Sequence, residues 1–154
     1  MTRLLNTIKD PFVAEILKSG GIAVLRTDTL YGIVASAGDK DAVERIYDIK
    51  QRKPSKSPIV LIDSIDQLFD TYDTQILATL HAYWPGPNSI ILPSVNAPQW
   101  ITRDNESVAY RIPNHPTLRS LLRIVGPIIA PSANPEGALP AATVAMKLPF
   151  WSSH

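Results

Sequence analysis

Apolar residues recur every three or four positions in several segments, a spacing typical of helices with one buried face. The first segment, residues 11–18, ends before Ser19-Gly20-Gly21, where glycine accepts the left-handed geometry that follows a helix. The next begins after Asp39, which can cap a helix running to about Ile49 with Ile49 facing inward. The other predicted helices cover residues 64–69, 74–83 and 115–125, with one more beginning near 141.

Short apolar runs between these helices predict strands at residues 22–25, 33–35, 59–62, 90–92 and 127–130. Residues 108–112 alternate in polarity and predict a half-exposed strand, with Arg111 on its polar side. The segment between the first two strands, "RTDTLYG", reads as a loop. Strands and helices interleave along the chain, which predicts an α/β fold with a mixed sheet.

Composition excludes several classes of protein. The 154 residues are 45% hydrophobic and 19% charged, as in a folded soluble domain and unlike a disordered one. No apolar run approaches the ~18 residues that span a bilayer, so no membrane contact is expected. The absence of cysteine excludes disulfides, thiolate metal sites and a cysteine nucleophile, and suits the cytoplasm. The three histidines lack metal-ligand spacing.

The net charge is only +1, yet the window 45–56 is strongly basic, with Asp48 as its only acid. Lysine and arginine beside a strand end could hold a polyphosphate. They could equally be solvated charges favourable at a helix C-terminus. The basic residues are Arg45, Lys50, Arg52, Lys53 and Lys56.

Two other strand-end loops carry small polar groups. Thr27, Asp28 and Thr29 follow one buried strand, and Ser132 and Asn134 follow another. Both loops could bind an anion or a polar ligand through hydroxyls and backbone N–H groups, although no phosphate-binding GxxxxGK[ST] pattern occurs. Both could also be ordinary turns stabilised by their own side chains.

Single residues admit similar alternatives. Arg111 could be a surface strand residue with a packed stem, and His115 is expected to cap a helix or lie at the surface rather than act in catalysis.

Taken in order, "TDTLYGI", "KQR", "WPGP", "VAYRIPNHP" and "PSAN" resemble the YrdC/TsaC family of threonylcarbamoyl-AMP synthases, over residues 20–140. The resemblance implies a twisted, mixed open sheet with flanking helices around a basic concave cavity. Family domains continue beyond the last motif, so residues 1–154 are expected to form a single YrdC-like domain that is incomplete at its C-terminal end.

The resemblance also implies an activity. L-threonine, bicarbonate or CO2, and ATP would give threonylcarbamoyl-AMP and pyrophosphate, a nucleotidyl transfer accompanied by Mg2+. The product would serve t6A formation at position 37 of tRNA, through a downstream t6A transferase complex.

Site residues follow from the matched motifs. The implied nucleotide-binding and catalytic tetrad is Lys50, Arg52, Ser132 and Asn134. Lys56 would assist with the nucleotide, whereas Thr29 and Arg111 would bind threonine. The chain departs from the family pattern in a basic segment one residue longer than usual, and in Leu61 where a histidine is common.

Three alternatives stay open. The chain could be a module that binds double-stranded RNA or tRNA, or a truncated relative with impaired catalysis. A carbamoyl-transfer role, as in hydrogenase maturation, ranks last because the acylphosphatase-like and zinc-finger segments of those proteins are missing here.

Overall fold

A computed structural model describes residues 7–132 of the chain. The helices are α1 (Pro11–Lys18), α2 (Lys40–Lys50), α3 (Thr74–His81), α4 (Gln99–Thr102) and α5 (Pro116–Val125). The strands are β1 (Ala23–Arg26), β2 (Tyr31–Ser36), β3 (Ile59–Leu61), β4 (Ile90–Pro93), β5 (Ser107–Arg111) and β6 (Ile128–Ile129).

The strands form one mixed sheet in the order β1-β2-β6-β3-β5-β4. β3 and β5 are parallel, while the other neighbouring pairs are antiparallel. The predicted mixed open sheet with flanking helices is therefore confirmed.

Helices cover the two faces of this sheet. Successive residues of a strand point to opposite faces, and β3 shows this directly. Val60 and Ile62 join an apolar cluster with α2 and Trp84, whereas Ile59 and Leu61 join a second cluster with α1 and α5. The central strands are therefore buried on both sides.

The helix starts follow from local capping. Asp39 accepts a hydrogen bond from the backbone N–H of Ala42 at 3.0 Å, as the sequence predicts. His115 accepts one from Leu118 N–H through Nδ1 at 3.0 Å, so its predicted capping role is also confirmed. At the end of α1, Gly20 adopts a φ of +87°, the conformation expected of glycine after a helix.

Several sequence expectations are wrong. Residues 108–112 are buried, because β5 lies inside the sheet with both faces covered. Ile49 is 56% exposed, so it does not face the core. The expected helix at 64–69 is a single 3-10 turn, Ile65–Gln67, and α4 was not predicted at all.

The helix expected near residue 141 lies outside the described residues. Within residues 7–132, no helix is both long and apolar enough to cross a bilayer.

α5 offers a matched test of core packing. Leu122 is fully buried and Ile124 is half exposed on the same helix. We expect Leu122→Ala to lower the free energy of unfolding by about 2–5 kcal/mol, because it leaves a cavity. Ile124→Ala should change it by about 0.5 kcal/mol or less. Urea denaturation measures both, and equal losses would contradict the assigned packing of α5.

Candidate functional site

The end of α2 turns two of the basic residues inward. Gln51 follows the helix in the left-handed conformation, with φ of 52°. This allows the Arg52 N–H to donate back to the Tyr47 carbonyl at 3.0 Å. Lys50 is only 4% exposed and Arg52 8%. The solvated-surface interpretation is therefore wrong for these two residues.

The remaining basic residues of this window behave differently. Arg45 and Lys53 are exposed to solvent, and Lys56 is half-buried. The solvated interpretation holds for Arg45 and Lys53.

Lys50 joins the end of α2 to the loop after β6. Its Nζ donates to the Ser132 carbonyl at 2.6 Å, across 82 residues of sequence. Ser132 also pairs with Gly32 at the start of β2, and Ile33 N–H donates to the Pro131 carbonyl at 2.9 Å. The basic window, the "TDTLYG" segment and the "PSAN" segment therefore meet at one place.

Gly32 leaves room for that close approach. A Cβ at this position would lie 3.3 Å from the carbonyl oxygen of Ala130. Since the neighbouring atom belongs to the backbone of the residue after β6, a side chain at position 32 would need that backbone to shift by a few tenths of an ångström.

The ring of Tyr47 supports the basic window. The guanidinium carbon of Arg52 lies 5.5 Å from the ring centre and that of Arg103 lies 3.7 Å from it. The Tyr47 hydroxyl donates to the Lys56 carbonyl. Burial raises the pKa of Tyr47, and Arg52 opposes that rise, so the hydroxyl remains a proton donor at neutral pH.

The segment after α4 holds the loop that follows Arg52, residues 53–57. Arg103 donates to the Pro54 carbonyl and pairs with Glu44 at 3.1 Å. Asn105 Nδ2 donates to the Ser55 carbonyl at 2.9 Å and to Ser57 Oγ at 2.8 Å. Arg52 Nη2 donates to the Ser57 carbonyl at 2.8 Å. The carbonyls of the loop are thus held by Arg103 and Asn105 from the segment after α4 and by Arg52 from the basic window. The contacts from the segment after α4 are called the support of the loop.

Sequence reasoning missed this support. α4 has only four residues and no capping side chain to announce it. The one available signal was the polar run 103–106, in which three residues adopt positive φ.

Arg111 is completely buried, so its interpretation as a surface residue is wrong. Its Nη1 donates to both carboxylate oxygens of Asp28, at 2.7 and 2.8 Å, and to the Gly86 carbonyl at 3.3 Å. Its Nε and Nη2 are also buried, and they have no hydrogen-bond partner among the described residues. Such a buried pair of donors is a ready position for an anion.

The contact between Asp28 and Arg111 joins elements that are far apart in the sheet. β1 and β5 are four places apart in the strand order, which in a flat sheet is roughly 19 Å. The β1–β2 connection must therefore reach across towards β5. Sequence reasoning noted Asp28 but missed its partner.

Thr27 and Thr29 flank Asp28 and behave differently. Thr27 is buried, and its hydroxyl donates to the Leu30 carbonyl at 2.7 Å, so the turn interpretation is confirmed for this residue. Thr29 is half-buried with its hydroxyl 3.1 Å from that of Thr27. Ser132 is half-buried as well, while Asn134 lies outside the described residues.

Comparison with known proteins gives consistent results. The sequence model of the Sua5/YciO/YrdC family, described as "telomere recombination", matches residues 15–148. A threonylcarbamoyl-AMP synthase of Pseudomonas savastanoi pv. phaseolicola is 38% identical over 133 residues, covering 84% of this chain and 71% of that protein.

Solved structures agree with the fold. P. abyssi Sua5 complexed with L-threonine is 33% identical with a TM-score of 0.76. The match covers 84% of this chain but only 39% of Sua5, so this chain spans less than half of that protein. E. coli YciO, at 24% identity and a TM-score of 0.72, is similar in fold; 83% of this chain and 65% of YciO are covered.

Two substitutions at Tyr47 separate its hydroxyl from its ring. Tyr47→Phe removes the hydrogen bond to Lys56 and should cost about 1 kcal/mol of folding stability. Tyr47→Leu also removes two cation–π contacts, each worth about 0.5–2 kcal/mol, and should cost correspondingly more. Urea denaturation compares them. If the two variants are equally stable, the arginine–ring contacts contribute nothing to the support.

Proposed function

The chain belongs to the Sua5/YciO/YrdC family, and on that premise we propose that it is an L-threonylcarbamoyladenylate synthase. The observation that carries the proposal is the contact between Lys50 and Ser132, because it brings the "KQR" and "PSAN" segments together. The similarity to curated synthases supports the same activity.

The nucleotide would bind where these segments meet. Lys50 and Arg52 would contact the triphosphate of ATP, and their charge would stabilise the departing pyrophosphate. Ser132 and Asn134 would orient the phosphates by hydrogen bonds, and Lys56 would add a further cation. Arg52 is suited to this role because its planar guanidinium can bind two phosphate oxygens at once.

Threonine would bind at the other end of the site. Arg111 presents Nε and Nη2, the two donors that bind a carboxylate side-on. Thr29 would contact the substrate through its half-buried hydroxyl. Sua5, a relative with the same fold, has been solved with L-threonine, which supports an amino-acid substrate here.

The reaction follows from bringing these ligands together. The neutral amine of threonine attacks CO2, forms a C–N bond and loses a proton, which gives a carbamate. A carbamate oxygen then attacks the α-phosphorus of ATP, and the bond to the β-phosphate oxygen breaks with its electron pair leaving on pyrophosphate. Two anions must approach, which costs about 4 kcal/mol per pair of unit charges at ~4 Å and an effective dielectric of ~20. Lys50 and Arg52 would offset that repulsion.

Magnesium is expected with ATP, but residues 7–132 contain no group of three or more acidic, histidine or cysteine side chains that could hold a metal ion. A bound magnesium ion would be held mainly by phosphate oxygens of ATP, as is common for Mg2+. We therefore assign no residue of the chain to it and derive no step from it.

The proposed product would be consumed by a t6A transferase complex acting on tRNA. A chain without cysteine suits the cytoplasm, where we place the reaction. Bicarbonate would supply CO2.

The decisive experiment uses the protein with ATP, L-threonine, bicarbonate and Mg2+, and measures pyrophosphate and threonylcarbamoyl-AMP. We expect threonine-dependent release of pyrophosphate. Lys50→Ala and Arg52→Ala should each reduce the rate at least 100-fold, because each removes a charge that stabilises the leaving group. Lys53→Ala is the matched control, since Lys53 is an exposed cation of the same window, and its rate should stay within about twofold.

Other outcomes would redirect the assignment. ATP binding without pyrophosphate release would indicate impaired catalysis. Binding of double-stranded RNA or tRNA that weakens steeply with salt, without ATP binding, would favour the RNA-binding alternative.

A further inference from the structure

The two edges of the Arg111 guanidinium are used differently. Nη1 is fully engaged by Asp28 and the Gly86 carbonyl, whereas Nε and Nη2 have no partner in the described part of the chain. Because a guanidinium is rigid and planar, fixing one nitrogen fixes the direction of the other two. The residue that holds Nη1 therefore determines the direction of the edge formed by Nε and Nη2.

Asp28 is itself held by more than Arg111. The backbone N–H of Asn114, in the loop between β5 and α5, donates to its Oδ2 at 2.9 Å. The carboxylate thus connects the β1–β2 loop to the segment that follows Arg111. A group bound on both sides is well placed to orient a third.

Asp28 also removes the net charge of the pair. A completely buried guanidinium is costly without an opposite charge, and Asp28 lies 2.7 Å from it with its side chain 10% exposed. An incoming anion therefore meets a pair with no net charge. Its binding depends on two aligned hydrogen bonds more than on long-range attraction, which favours a planar carboxylate over a simple ion.

We propose that Asp28 is a positioning residue that holds Nη1 of Arg111 and so aims the Nε–Nη2 edge at the α-carboxylate of the amino-acid substrate. This role rests on the proposed function. Asp28 need not touch the substrate; it acts through Arg111.

The test measures L-threonine and ATP affinities separately by titration calorimetry, together with KM and kcat. Asp28→Asn keeps the size of the side chain and removes its charge. We expect the Kd and KM for L-threonine to rise at least tenfold, while the Kd for ATP stays within twofold and kcat at saturating threonine within threefold. A purely structural role would not separate threonine from ATP in this way.

Asp63→Asn is the matched control. Asp63 is also 10% exposed at its side chain and pairs with an arginine, Arg119, at 2.9 Å, but it takes no part in the proposed site. We expect a loss of thermal stability comparable to that of Asp28→Asn with no change in threonine affinity. If Asp28→Asn does not fold, Asp28→Glu keeps the charge but displaces it by one methylene, and should weaken threonine alone.

The failures are distinguishable. Unchanged threonine affinity in a folded Asp28 variant would overturn the positioning role and leave the proposed function intact. A wild-type protein that binds no threonine would overturn both.

Discussion

The candidate site depends on a buried ammonium group held by a backbone carbonyl. Lys50 leaves the last turn of α2 and donates to Ser132 at 2.6 Å, with almost no exposure to water. Removing such a charge from water is costly unless strong hydrogen bonds replace the lost hydration. The carbonyl is in place because Ser132 pairs with Gly32 at the start of β2. One charge thus links a helix end, a strand end and a strand start.

The basic loop beside Lys50 is shaped by a different set of contacts. Tyr47 and Arg103 donate to carbonyls of the loop, and Asn105 donates to the hydroxyl of Ser57. The ring of Tyr47 also contacts the guanidinium of Arg52. Side chains held in this way lose little further freedom when a ligand binds, which favours affinity and alignment. The part of the molecule between α4 and β5 therefore contributes to the site without carrying any of the recognised motifs.

The features that could be predicted from the sequence depend mostly on residues that lie close together along the chain. α2 and α5 could be located from sequence because Asp39 and His115 cap them within three residues. The burial of β5 could not be predicted, since it depends on the order of the strands in the sheet. Motif residues indicated that the loops around Lys50 and Ser132 belong together. The pairing of Asp28 with Arg111 spans 83 residues and depends on how the β1–β2 loop reaches towards β5, which no local pattern encodes.

The two proposed anion sites differ in their surroundings. At the α2 end, two cationic side chains lie close together, and Lys50 and Arg52 donate to the backbone carbonyls of Ser132 and Ser57. Such a pair suits a polyphosphate, because lysine supplies a compact charge and arginine a planar fork for phosphate oxygens. At Arg111, the charge is balanced by Asp28 and only the direction of two N–H donors remains. The proposed reaction joins two separate ligands, a polyphosphate and an amino acid. Each would bind at the site that suits its own anionic group. In the proposed arrangement, the nucleotide would be held by the cations at the α2 end and the amino acid would be selected by the direction of the Arg111 donors.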